Sequence, residues 1–137
     1  MSALPVTLLA CEREDSLALL TVVLPDGQQL SALSTTAVAT EPGTPLLARV
    51  KAAEIALARP PLGAISLRNR IASRVTAIEA GRLLARVRLA GDGFDLAALI
   101  TRAALEELAL REGDNVLALI KANDLALFAA ESPDDAA

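Results

Sequence analysis

The chain has 137 residues, 13 Lys and Arg against 17 Asp and Glu, 53% apolar residues and only 1% aromatic ones. That apolar share is too high for a disordered chain and can bury a core, and the length allows one domain or two very small ones. The formal charge of −4 and the scarcity of rings remove both the electrostatic pull and the stacking platforms of nucleic-acid binders, so no nucleic-acid partner is expected.

Histidine is absent and Cys11 is the only cysteine. A Cys/His zinc site, an intrachain disulfide and a histidine base are therefore excluded, and Cys11 reads as a small apolar residue in or near a strand. No apolar run approaches the ~20 residues that span a bilayer, and Met1 to Pro5 has no basic region ahead of an apolar one. No membrane insertion is expected, and the protein reads as cytoplasmic.

Along the chain the main signal is an internal duplication. Leu24 to Leu33, with the hairpin turn Asp26-Gly27, lies over Ala90 to Leu99, with Asp92-Gly93. Thr35 then falls on Thr101, and Pro42 to Leu57 lies over Glu112 to Leu127. Within that stretch Lys51-Ala52 matches Lys121-Ala122, and Gly43 matches Gly113. Pro60-Pro61-Leu62-Gly63 marks the joint between the copies. The segment from Arg82 alternates, placing Leu83, Ala85, Val87 and Leu89 on one side and Arg86 and Arg88 on the other. Thr101 to Gly113 reads as a short helix with Thr101 as N-cap, Ala104, Leu105 and Leu108 on one face, and Gly113 just past its end. The first copy has room there for a single turn, stopped by Pro42. Val116 to Ile120 is apolar at every position, which predicts a strand buried on both faces.

These signals predict a mainly β protein of two fused five-stranded OB-like Greek-key barrels, each with one short helix. The expected units are residues 1–59, residues 64–129 and a flexible tail over 130–137.

Two constellations carry possible chemistry. Ser66-Leu67-Arg68-Asn69 sets a hydroxyl, a guanidinium and an amide within four residues, all able to donate to an oxyanion; the same residues also suit a strand start with a solvated Arg. Lys51-Ala52 and Lys121-Ala122 each end an apolar strand, where a lysine serves either solubility or binding. The carboxylates fall on turns, on the outer helix face and in the tail. No phosphate-binding glycine loop or nucleophile elbow is present, so an enzyme in its own right is not expected.

Ser66-Leu-Arg-Asn-Arg-Ile, the strand Gly81 to Leu89, Ala98-Leu-Ile-Thr101, Leu108 to Gly113 and Ala118-Leu-Ile-Lys121-Ala122 resemble, in order, the molybdate-binding Mop/TOBE domain. The first copy resembles a more diverged one that lacks Ser-x-Arg-Asn. The tandem is most similar to the C-terminal accessory domain of the molybdate transporter ATPase. The resemblance implies molybdate or tungstate as ligand, with no organic cofactor, held between domains or subunits. It carries site roles onto Ser66, Arg68 and Asn69, onto Thr101, and onto Lys121, Ala122 and Asn123, with Lys51 and Ala52 as first-copy counterparts. It further implies a homo-oligomer, dimer before trimer, and an attached ATPase domain at the inner membrane face as partner. A free-standing storage protein (molbindin) is the alternative; an OB-type nucleic-acid binder or a purely structural dimerisation module comes after it. The chain departs from the family pattern at Asn123 and Ala53, where Ser often follows Lys-Ala, and at Ala104, where the family often has Ser.

Overall fold

The computed structural model describes residues 1–130. The expected tail therefore lies, apart from Ala130, outside the described residues. Ten strands run in chain order: β1 (Ser2–Glu14), β2 (Leu17–Val23), β3 (Gln29–Ser34), β4 (Pro45–Val50), β5 (Ala56–Ala58), β6 (Asn69–Ala80), β7 (Leu84–Gly91), β8 (Phe94–Thr101), β9 (Asn115–Ile120) and β10 (Ala126–Ala129). One α-helix, α1 (Arg102–Leu108), follows β8, and 3-10 helices at Ala52–Glu54 and Ala122–Asp124 follow β4 and β9.

The alternation of apolar residues decides which side of each strand is buried. Leu4, Val6 and Leu8 of β1 are buried, as are Ile71, Ser73 and Val75 at the matching positions of β6. Fully burying each such Leu, Ile or Val contributes about 1.5–3 kcal/mol. In β7 the buried residues are Ala85, Val87 and Leu89, as the alternation predicts, but Leu83 is 71% exposed because the strand starts one residue after it. β9 is buried at Val116, Ala118, Leu119 and Ile120, with Leu117 half-buried, so both faces of the strand are largely covered, as its unbroken apolar run predicts.

Each copy builds the same Greek key: three consecutive antiparallel strands, with the fourth returning beside the first. The orders are β4-β1-β2-β3 and β9-β6-β7-β8. Even the irregularities repeat. The β1–β2 ladder shifts register between Leu8 and Ala10, and the β6–β7 ladder shifts between Val75 and Ala77. Gly27 and Gly93 close the β2–β3 and β7–β8 hairpins at φ 95° and 87°, where a side chain would be strained.

The fifth strands are exchanged. β5, from the first copy, pairs with β9, and β10, from the second, pairs with β4. Each sheet then curls until its edges meet, β10 approaching β3 and β5 approaching β8. The two copies thus complete each other, and their buried residues form one continuous core.

The copies differ after the third strand. α1 is the one α-helix among the described residues, so the expected helix of the first copy is absent; residues 35–43 pass through bends and a turn instead. The four residues missing there are about one helical turn. In the second copy Thr101 is the N-cap, its Oγ1 accepting from the Ala104 N–H at 3.0 Å. The helix ends earlier than Gly113, at Ala109, which takes the left-handed conformation at φ 50°. Arg59 makes that end possible by donating from Nε to the Leu108 carbonyl at 2.6 Å and from Nη2 to the Ala109 carbonyl at 2.7 Å. A guanidinium at the carbonyl end of a helix satisfies orphan acceptors and opposes the helix dipole.

Candidate functional site

Polar groups cluster where the two copies touch. Asn69 opens β6, pairs with Ile120 of β9, and is completely buried. Its Oδ1 accepts from the Ser31 N–H at 2.7 Å, and its Nδ2 donates to the Ser31 carbonyl at 2.9 Å. One carboxamide therefore pairs β6 with β3 as a neighbouring strand would. Ser2 holds the matching place in β1, opposite Val50 of β4, and its Oγ accepts from the Ala97 N–H of β8 at 3.0 Å. The same position in each copy thus clasps the same position of the other copy's third strand. Gln28 adds a further link, donating to the Ala72 carbonyl at 3.0 Å and accepting from its N–H at 2.8 Å.

Immediately after Ile120 comes Lys121, exposed at the start of the Ala122–Asp124 3-10 helix, which packs on β3. The repeat places Lys51 likewise at the start of Ala52–Glu54, which packs on β8. The sequence candidates therefore divide. Asn69, Lys121, Ala122 and Asn123 gather around β3, whereas Lys51 and Ala52 lie toward β8, whose last residue is Thr101. Ser66 and Arg68 are exposed on the connection before β6. That connection is held by Arg70, which donates to the carbonyls of Leu67 at 3.1 Å and Ile65 at 3.0 Å.

Between β3 and β10, where the curled first sheet meets its own edge, lies a cavity of about 390 Å³ lined by Ser34, Thr36, Val38, Asn123, Leu125 and Leu127. Its walls are apolar and its polar groups are neutral. Ser34 ends β3 in a hydroxyl turn, its Oγ accepting from the Thr36 N–H at 3.1 Å. With that lone pair engaged, the Ser34 O–H remains as a donor, alongside the Thr36 hydroxyl and the Asn123 amide. Ser34 and Thr36 were not among the sequence candidates. The signal that could have found them is the hydroxyl run Ser34-Thr35-Thr36, at the place where the second copy has its helix cap.

A second cavity, of about 580 Å³, lies on the outer side of β7 and is lined in part by Arg86, Arg88 and Asp95. Arg88 is tied to Glu79 at 3.3 Å, and Asp95 lies in the same lining, so carboxylates oppose the positive charge of this cavity. Among the described residues no group of three or more metal-ligating side chains occurs, and no helix is long and apolar enough to cross a membrane.

Residues 2–57 and 65–127 each match the TOBE domain. The chain belongs to the TOBE-domain family, with two copies in tandem. It is 43% identical over 75 residues to the molybdenum import ATP-binding protein ModC of Brucella abortus (strain 2308), covering 54% of this chain and 21% of that protein. It is 40% identical over 70 residues to the molybdenum-pterin-binding protein MopB of Rhodobacter capsulatus, covering 50% of this chain and 26% of that one. This TOBE tandem therefore spans only about a quarter or less of these relatives. Its fold is similar to the crystal structure of the cytoplasmic molybdate-binding protein ModG with molybdate bound. The TM-score is 0.86 at 27% identity, over 93% of this chain and 95% of that one.

Proposed function

We propose that this tandem binds a tetrahedral oxyanion, molybdate or tungstate, and is a binding unit with no catalytic step of its own. The observation that supports the reading is the cavity between β3 and β10, lined by Ser34, Thr36 and Asn123, two residues along the chain from Lys121. A dianion leaving water needs convergent donors and limited positive charge. The names of the related ModC and MopB proteins and of the ModG structure favour molybdenum among the possible oxyanions.

In this proposal Lys121 supplies the charge, while Ala122 and Asn123 flank the anion. Asn69 acts by positioning, because its carboxamide is committed to β3. Ser66 and Arg68 reach toward an anion held by a second copy in a homo-oligomer, a dimer before a trimer. Thr101 acts through its helix cap. The 43% identity to ModC supports a role as the oxyanion-sensing part of a molybdenum-transport ATPase. A free-standing molybdate-binding protein is the second reading, favoured by the end-to-end match with ModG.

Calorimetric titration with molybdate, tungstate and sulfate tests the proposal. Saturable heat is expected for the first two, with binding by Lys121→Ala weaker by roughly ten- to a hundredfold, the loss of one charge-assisted contact. No saturable heat with either oxyanion would overturn it.

A further inference from the structure

Taking the homo-oligomer proposed above as given, we infer that its copies meet head to tail. The outer face of the first sheet, at the β1–β2 hairpin, docks on the outer face of another copy's second sheet, at the β6–β7 hairpin.

Register partners in an antiparallel ladder share a face of the sheet. Glu14 is paired with Leu17, Glu12 with Leu19, and Leu19 in turn with Leu33. All five are exposed, and together with Arg13 they line a hollow of about 270 Å³. Three neighbouring leucines thus face solvent inside an acidic border, where Glu12, Glu14 and the turn residue Asp15 outnumber Arg13. Among the described residues none of these carboxylates forms an ion pair. Single surface leucines are ordinary, but three side by side on one sheet face mark a docking surface.

The same face of the second copy carries the opposite charge. Glu79 pairs with Arg86 as Glu12 pairs with Leu19, so Arg86 stands where the first copy has a leucine. Leu84 matches Leu17, and Leu99, the register partner of Arg86, matches Leu33. The turn before β7 adds Arg82 and Leu83, both exposed. Arg88 is engaged with Glu79 at 3.3 Å. Arg102 donates from Nη1 to the Gly81 carbonyl at 2.9 Å and from Nε to Glu106 Oε1 at 3.1 Å. Among the described residues of this hairpin, Arg82 and Arg86 are the cations left without an ion pair. Stacked on itself, either face would set like charges against each other. Set against one another, the two faces bring leucines to leucines and carboxylates to guanidiniums, which fixes both partner and orientation. A contact between unlike faces leaves one of each unused on every pair, so it repeats until the assembly closes.

The test is a charge swap read by light scattering over a dilution series of the full chain. One variant combines Glu12→Arg with Glu14→Arg, and the other combines Arg82→Glu with Arg86→Glu. None of the four side chains is buried or ion-paired among the described residues, so the thermal unfolding curves should overlay that of wild type. Wild type is expected above the monomer mass, with an association that weakens as salt is added. Each variant alone now has two faces of one sign and should associate at least about tenfold more weakly. An equimolar mixture of the two should return the wild-type mass, because every face again finds one of opposite charge. A mixture that stays monomeric overturns the inference, as does either variant associating as strongly as wild type, while the homo-oligomer stands in both cases. A wild-type chain that is monomeric throughout overturns the homo-oligomer itself along with its faces.

Discussion

The two copies clasp each other at the same position with different chemistry. At the start of β6, a completely buried carboxamide makes two hydrogen bonds to Ser31. At the start of β1, the Ser2 hydroxyl accepts one, from Ala97. The duplicated backbone kept its partners and its bulges while the side chains drifted, and the drift was not even. Around β3 lie the buried amide, the hydroxyl turn and the Asn123 amide. Around β8 lie a serine clasp, Ile100 and a guanidinium already engaged elsewhere. A repeat of this kind preserves architecture in both halves and leaves the polar surface of one half free to specialise.

Removing the stronger clasp should have the largest effect. Asn69→Ala strands both the N–H and the carbonyl of Ser31 at the junction, costing about 2–3 kcal/mol. For a domain of this size that lowers Tm by roughly 8–12 °C. Ser2→Ala strands one N–H near the chain start and should cost about 1 kcal/mol or less. Asn69→Ser, which gives the second copy the clasp of the first, should fall between them. Thermal unfolding of the three variants ranks the clasps, and equal losses for Asn69→Ala and Ser2→Ala would remove the asymmetry described above.

The third strands give the next contrast. Thr101 and Thr35 occupy corresponding positions, yet only Thr101 has a helix to cap. Thr101→Ala should cost about 1 kcal/mol, the usual loss for an N-cap hydroxyl. Thr35→Ala is a surface change with no such role and should stay within about 0.5 kcal/mol of wild type. Urea midpoints decide it. A loss for Thr35→Ala as large as that for Thr101→Ala would mean that residues 35–43 depend on a hydroxyl cap of their own.

Much of this architecture was legible in the sequence. The duplication, the Asp-Gly hairpins, the buried face of β7 and the Thr101 cap all follow from local rules that act within a few residues. The exchange of fifth strands was not legible. Ala56–Ala58 and Ala126–Ala129 follow the same Lys-Ala step, and a short strand shows the same residues whichever sheet accepts it. Asn69 likewise read as a ligand because it closes the donor run Ser66-Leu67-Arg68-Asn69, and its burial depends on Ser31, 38 residues away in sequence. The early end of α1 depends on Arg59, 49 residues from Leu108. What escaped the sequence was in each case a long-range partner for a polar group or a strand edge. The hydroxyls of the candidate cleft escaped for the same reason, since Ser34 and Thr36 meet Asn123 only after β10 has crossed to the first sheet.

The smallest expected effect lies at the other end of α1, a place the first copy does not have. Asp114 accepts from the Arg111 N–H at 2.9 Å and from Arg59 Nη2 at 2.8 Å. The Arg111 backbone N–H, and after it the Arg59 side chain, hold the Asp114 carboxyl below its ordinary value of 3.8. Its folded pKa is therefore the lower one. The stability it contributes is fully present above pH 3.8 and is lost as the pH falls from there through the folded value. Arg59 is 43% exposed at its side chain and Asp114 29%, so solvent screening keeps the contribution small. Asp114→Asn should leave Tm near neutral pH only slightly lower and should flatten the decline of Tm below pH 3.8. Arg59→Ala should lower Tm further, because the carbonyls of Leu108 and Ala109 lose their donor as well. Unfolding curves for wild type and both variants, recorded from roughly pH 6 down to pH 2.5, measure the acid slopes directly. If wild type and Asp114→Asn lose stability along parallel lines below pH 3.8, the carboxylate does not tie the helix end to the pH, and Arg59 stabilises α1 through its two carbonyl contacts alone.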